Sequence, residues 1–341
     1  MTSSVPGYEH LLRMSDDTGL LEHAMGALPR REHGYCLDDV ARGLVLVSRE
    51  PDPGADQLRL ADTYLAFAAH AQSPLGSFRN RLGYDRRWAD PPGTGDWWGR
   101  AMWGLGSIAA GTGPSRQRTE ALDRFSLGCR QRSPWLRSMA FAALGAAQVL
   151  SGYPGHRAAR DLLSDLVVLL GAAPAGSCPW PEERLAYSNA SIPDALIAAG
   201  AALGDADVVD HGITLLDWLV DRQTSSGRLS PVPVGGSPVG AVVSGFDQQP
   251  IEVAAIADAA ARALAVSGDA RWHLTLVSAR AWFEGHNDVG VPMHDPLTGG
   301  GYDGLSASGP NLNQGAESTL AWLTTQQQDR TIGAPVLEAR R

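Results

Sequence analysis

One pattern returns six times along this 341-residue chain and limits its fold more than any other feature. A polar loop leads to a helix-start signal and then to a helix of Ala, Gly, Leu and Val. The instances are HGYCLDDVARGLVLV, GDWWGRAMWGLGSIAA, SPWLRSMAFAALGAAQVL, SNASIPDALIAAGAAL, QQPIEVAAIADAAARAL and NQGAESTLAWL. They begin near Cys36, Asp96, Ser133, Ser191, Gln249 and Asn313, in steps of 60, 37, 58, 58 and 64 residues. Such steps are too long for one helix and suit a helical hairpin with its loop.

Between these stretches lie more amphipathic ones, such as DQLRLADTYLAFAAHAQ, HRAARDLLSDLVVLL and DADVVDHGITLLDWLVDRQ. A helix apolar nearly all round is buried, and one with a charged face is peripheral, so the two sets read as inner and outer rings. The expectation is an all-α fold, an (α/α)6 toroid of six helical hairpins. It forms a single domain over residues 1–325, with a polar, flexible tail over 326–341. No stretch sustains a strand period, so β structure is confined to short hairpins in loops. Links from inner to outer helices are short, whereas those from outer to inner cover about residues 73–95, 174–190, 225–248 and 287–312. In alternating hairpins all the long loops emerge at one end, and long loops in a compact domain are usually functional.

Composition removes several classes of function. The formal net charge of -9 argues against a nucleic-acid or anionic-membrane partner, which needs clustered positive charge. All 28 basic side chains are arginine, so a lysine Schiff base or a Walker lysine is impossible. Cys36, Cys129 and Cys178 are far apart and form no CxxC pair, which signals neither a disulfide framework nor a zinc site. No signal-like start and no apolar run of about 18 residues is present, and the expected location is cytoplasmic.

The long loops and inner-helix starts mix aromatic residues with acids and amides, as expected where ring faces cover sugars and polar groups take their hydroxyls. In GFDQQPIEVAA, Gln249 suits an N-cap, Pro250 the first helical position and Glu252 a capping box. Asp247 and Gln248 precede the cap and are free for another role. Asp38 and Asp39 open another inner helix and point about 100° apart, so one can face the cavity while the other braces it. Asp38 is also placed to pair with Arg42, one turn on. Glu317 sits in the first turn of the last inner helix, where an acid also complements the helix dipole. His33 and His294 lie on the loop face without a metal-ligand partner at familiar spacing.

The segments HGYCLDDVARGL, NRLGYDRRWAD, GRAMWGLG, WPEERLAYSNASIPDAL, GFDQQPIEVAAIADA and NDVGVPMHDPLTGGGYDGL, followed by NQGAESTLAWL, cover the chain from about His33 to Trp322. Together they resemble the bacterial six-hairpin glycosidase-like proteins, often encoded beside or fused to glycosyltransferases. The resemblance implies an (α/α)6 barrel, action on a glycan such as a mannose-containing oligosaccharide, and a glycosyltransferase as partner. Two positions depart from the pattern: Val40 stands where an amide is expected, and Ser188 where a carboxylate is expected.

The leading expectation is a glycoside hydrolase, which needs one carboxylic acid to protonate the leaving oxygen and one carboxylate to activate water or attack directly. Asp247 is the expected general acid, with Asp39 or Glu317 as base and inversion expected by analogy with wide toroid funnels. Asp38, Gln248, Glu252 and Asn313 are expected to hold sugar hydroxyls, and Trp97, Trp98 and Trp180 to stack on rings. Tyr84, Asp85, Arg100, Glu183, Tyr187, Asn189 and Gln314 complete the expected binding surface. No metal or cofactor is expected, since neither NDVG nor DPLTGGGYDG matches an EF-hand. The alternatives are a non-catalytic glycan-binding or glycosyltransferase-associated protein, and a sugar epimerase using His33 and His294 for proton transfer.

Overall fold

The computed structural model describes residues 7–171, 178–241 and 245–338. Twelve α-helices lie among them: α1 (Glu9–Met14), α2 (Leu37–Ser48), α3 (Ala55–Ala71), α4 (Asp96–Ala110), α5 (Ser115–Gly128) and α6 (Leu136–Gly152) in the first half. The second half holds α7 (Arg157–Leu170), α8 (Ser191–Leu203), α9 (Ala206–Arg222), α10 (Pro250–Ser267), α11 (Arg271–Phe283) and α12 (Ala316–Glu338). The even-numbered helices pack on one another in the order α2, α4, α6, α8, α10, α12, and α12 packs back on α2. That closed circuit is the inner ring of an (α/α)6 toroid. The odd-numbered helices lie against its outside.

Small residues set the diameter of the inner ring. At Gly106 and Gly145 the backbones of α4 and α6 touch, and a Cβ on either would run into a main-chain carbonyl of the other helix. A longer side chain there would push the two helices apart. Local signals set the helix ends: Pro250 occupies the first turn of α10, and Gly204 and Gly268 end α8 and α10 in the left-handed region, at φ 75° and 69°.

Inner helices begin within three residues of the expected positions, and the strands pair only in short antiparallel ribbons. Tyr35–Cys36 pairs with Arg81–Leu82, and Arg184–Leu185 with Ser237–Pro238, so neighbouring loops are laced together around one end of the ring. Helix α12 runs on to Glu338, well into the stretch read as a flexible tail, while 339–341 lie outside the described residues. No helix among the described residues is long and apolar enough to cross a membrane.

Candidate active site

All outer-to-inner connections reach the N-terminal ends of the inner helices, and there the ring opens into a cleft of about 740 Å³. Glu22, His23, Cys36, Asp38, Asp39, Arg42, Arg81, Asp303 and Glu317 are among its lining residues. Asp303 also lines an adjoining lobe with Asp247 and Gln249. Arg42 lies at the floor of the cleft and also lines a second, narrow pocket beside Arg100, Trp103, Ser188 and Asp194.

Arg42 organises the floor. Its Nη1 donates to Asp39 Oδ1 at 2.5 Å, and its Nη2 to Glu317 Oε2 at 2.6 Å. The guanidinium fork fixes both carboxylates because each is held by a directed, charge-assisted bond. Asp39 Oδ2 and Glu317 Oε1 have no hydrogen-bond partner among the described residues. The two acids differ in setting. The Asp39 side chain is 5% exposed and that of Glu317 is 38% exposed. Burial pushes Asp39 up to about 7, against the pull of Arg42 and with Glu317, Glu22 and Asp38 adding to the rise. Arg42 therefore pairs with Asp39, three residues back, rather than with Asp38 as the sequence suggested.

Asp38 turns toward the next helix. Its Oδ2 accepts from Asn80 Nδ2 at 3.0 Å, and its Oδ1 lies 3.4 Å from Arg100 Nε. Arg100 is buried and lies over the Phe141 ring at 4.0 Å from its centroid. On the other side Arg81 pairs with Glu22. Glu22, Cys36 and Asp39 each offer a ligand atom within 4.8 Å of the others. With Arg81 on Glu22 and Arg42 on Asp39, that group already has its positive charge.

Glu252 is not part of a capping box. Its carboxylate accepts from the backbone N–H of Ser188, from Asn189 N at 3.3 Å and from Asn189 Nδ2 at 2.9 Å, tying α10 to the start of α8. Burial pushes it up to about 7, while the donors from Ser188 and Asn189 pull the other way. Ser188 has φ 46°, a left-handed conformation that a side chain disfavours, and the bond to Glu252 holds it there. The Ser188 hydroxyl pairs with Ser191 at 2.8 Å on the wall of the second pocket.

Several expected binding residues serve the scaffold instead. Trp98 is fully buried in the core, and Trp180 is buried and stacked on Trp218, so neither has a ring face free for a sugar. Trp97 is half-buried and donates its indole N–H to Phe78 O at 2.7 Å. Gln248 is buried and donates to Asp288 Oδ2 at 2.6 Å. Gln314 is buried between Thr298 and Asp295, and Asn313 accepts from Gly26 N at 3.0 Å. Asn189 holds Glu252 and Arg137. Glu183 and Asp85 are exposed, and neither lines the cleft or its adjoining lobe. Tyr84 is exposed and stacks on Tyr35 at 6.3 Å. Tyr187, by contrast, keeps an exposed ring while its hydroxyl donates to Asp96. Asp247 is exposed on the adjoining lobe, without a side-chain partner among the described residues.

The histidines expected to act as a pair are apart from the floor. His33 is exposed and packs edge-on against His23 at 4.8 Å, and His294 stacks on Trp322 at 4.3 Å. Of the histidines, only His23 is among the cleft's lining residues. His23, Glu22 and Arg81 carried no signal in the sequence, because loop docking alone brings them to Asp39.

No family model matches the sequence, and no curated protein matches it. Solved structures do. A sugar epimerase from a ruminal bacterium superposes with a TM-score of 0.71 at 12% identity, over 96% of this chain and 96% of that chain. The chain shares with it an (α/α)6 fold of six helical hairpins. Within that fold, the cellobiose 2-epimerase of Spirochaeta thermophila gives a TM-score of 0.69 at 13% identity, over 94% of this chain and 93% of that one. A GH76 α-mannanase of Bacteroides thetaiotaomicron gives 0.60 at 9% identity, over 89% and 88%. Identities this low establish the six-hairpin architecture, and the chemistry rests on the side chains of this chain.

Proposed function

We propose that the protein is a glycoside hydrolase whose reacting groups are Asp39 and Glu317. The observation that carries this reading is the guanidinium of Arg42, which takes one oxygen of each carboxylate and leaves Asp39 Oδ2 and Glu317 Oε1 without a hydrogen-bond partner among the described residues. Glycosidic cleavage needs one carboxyl group that carries a proton near neutral pH and one that is ionised. Asp39, buried and pushed up to about 7, is suited to protonate the leaving oxygen. Glu317 is open to the cleft and held by Arg42, and is suited to activate water or to attack the anomeric carbon. Asp247 moves from proton donor to substrate contact, since it stands exposed on the adjoining lobe and nothing shields it from water.

A second reading, a sugar epimerase, is favoured by the near-complete overlap with epimerase structures. It requires two proton-transfer groups at one sugar carbon, and here these would be Asp39 and His23 rather than His33 and His294. One experiment separates the readings. Purified protein is incubated with manno- and gluco-oligosaccharides and the products are resolved by chromatography, beside Asp39→Asn and Glu317→Gln. Shorter saccharides that vanish in both variants support hydrolysis. A saccharide of unchanged length with an altered reducing-end sugar supports epimerisation, and binding without conversion supports a glycan-binding protein.

A further inference from the structure

Four aromatic side chains among the described residues are exposed: Tyr84, Trp135, Tyr187 and Phe246. Each lies in an outer-to-inner connection, and therefore at the end where the cleft opens. Among the described residues, no exposed aromatic stands at the opposite end or on the outer flank. An exposed Trp forgoes the large gain of burying its ring, so a rim bearing all of them has a use for flat apolar faces in water.

Two of the four, Tyr187 and Trp135, are linked to the cleft through a run of side-chain contacts and sequence neighbours. Asp38 pairs with Arg100, and Asp96, one turn before Arg100, accepts the Tyr187 hydroxyl. Arg137 lies over the Tyr187 ring at 5.0 Å and donates its Nε to the Tyr187 carbonyl at 2.7 Å, which holds the ring in place. Two residues before Arg137, Trp135 stands 65% exposed at the start of α6. The cleft itself is acidic: Glu22, Asp38, Asp39, Asp303 and Glu317 outnumber Arg42 and Arg81. Such a field disfavours uronic, sulfated or phosphorylated sugars.

On the carbohydrate reading above, we propose that the protein takes an uncharged glycan chain longer than a disaccharide, running from the Arg42 cleft to Trp135. Tyr187 and Trp135 are its successive stacking platforms. The test is calorimetric titration of gluco- and manno-oligosaccharides, from disaccharide to hexasaccharide, into wild type, Trp135→Ala and Trp135→Phe. Affinity is expected to rise with chain length in wild type. Trp135→Ala should lose about tenfold on the longest chains and nothing on the disaccharides, with Trp135→Phe in between. Unchanged affinities in Trp135→Ala, or a wild type indifferent to length, overturn the proposal and leave the carbohydrate reading standing. No saccharide bound at any length overturns both. A wild type that self-associates, and becomes monomeric on Trp135→Ala, makes this rim a protein interface and overturns the proposal.

Discussion

Arg42 and Glu317 meet across the seam where the first and last inner helices close the ring, with Nη2 to Oε2 at 2.6 Å although they stand 275 positions apart in sequence. Above about pH 7, where the buried Asp39 is ionised, the same guanidinium neutralises it, so its loss there would strand a charge in the core. Arg42→Met is expected to cost about 3 kcal/mol or more, mostly through Asp39, since the half-open Glu317 contributes little. Adding Asp39→Asn should recover most of the loss. Urea unfolding of the two variants checks this, and a double variant no more stable than the single one would refute the coupling.

Asp39 and Glu252 are among the buried carboxyls that bind their protons more tightly in the folded chain than in the unfolded one. Asp39 rises from an ordinary 3.8 to about 7, and Glu252 from 4.5 to about 7. For a raised acid the folded state holds the extra proton between the two values, so its contribution to stability falls as pH climbs through that window. The penalty is absent below the unfolded values and complete above about pH 7. Urea midpoints from pH 4 to 8 should therefore fall less steeply in Asp39→Asn than in wild type. If Asp39 is the proton donor, kcat/KM falls above about pH 7 as well.

Asp247 and Asp39 divide the candidate acids by role. On the proposed assignment of Asp247 as a substrate contact, Asp247→Asn is expected to raise KM and leave kcat within a few-fold. Asp39→Asn and Glu317→Gln should lower kcat by about 10²- to 10⁴-fold. Steady-state kinetics on the best oligosaccharide decides, and a large kcat loss in Asp247→Asn would restore it as the acid.

The tight contact of α4 with α6 predicts that Gly106→Ala and Gly145→Ala each destabilise by about 3 kcal/mol, since the added carbon meets a main-chain carbonyl that cannot swing aside. Gly155→Ala, where a Cβ would meet nothing, serves as the control. Thermal melts compare the three.

The ring was legible because small-residue helices repeat, and that periodicity reports burial directly. Asp38, Asp39 and Glu317 were legible as acids in first helical turns. What they touch was not. A choice between Asp38 and Asp39 as partner of Arg42 turns on the helix's rotation against its neighbours, and Glu317 reaches Arg42 only once the ring is closed. Trp98 and Trp180 misled because a Trp near a helix start suits a core as well as a sugar platform. Gln248 and Gln314 misled because buried amides are also what loops use to satisfy their backbones. Glu22, His23 and Arg81 come from segments with no helical period, placed by tertiary docking alone.

The seam has a consequence for synthesis. Arg42 leaves the ribosome early, but Glu317 arrives on the last helix, so a growing chain can carry the cleft's first half for most of translation with no partner for it. A polypeptide that stops short of α12 therefore lacks Glu317 and the last wall of the cleft, and the circle is closed only by the final helix to be made.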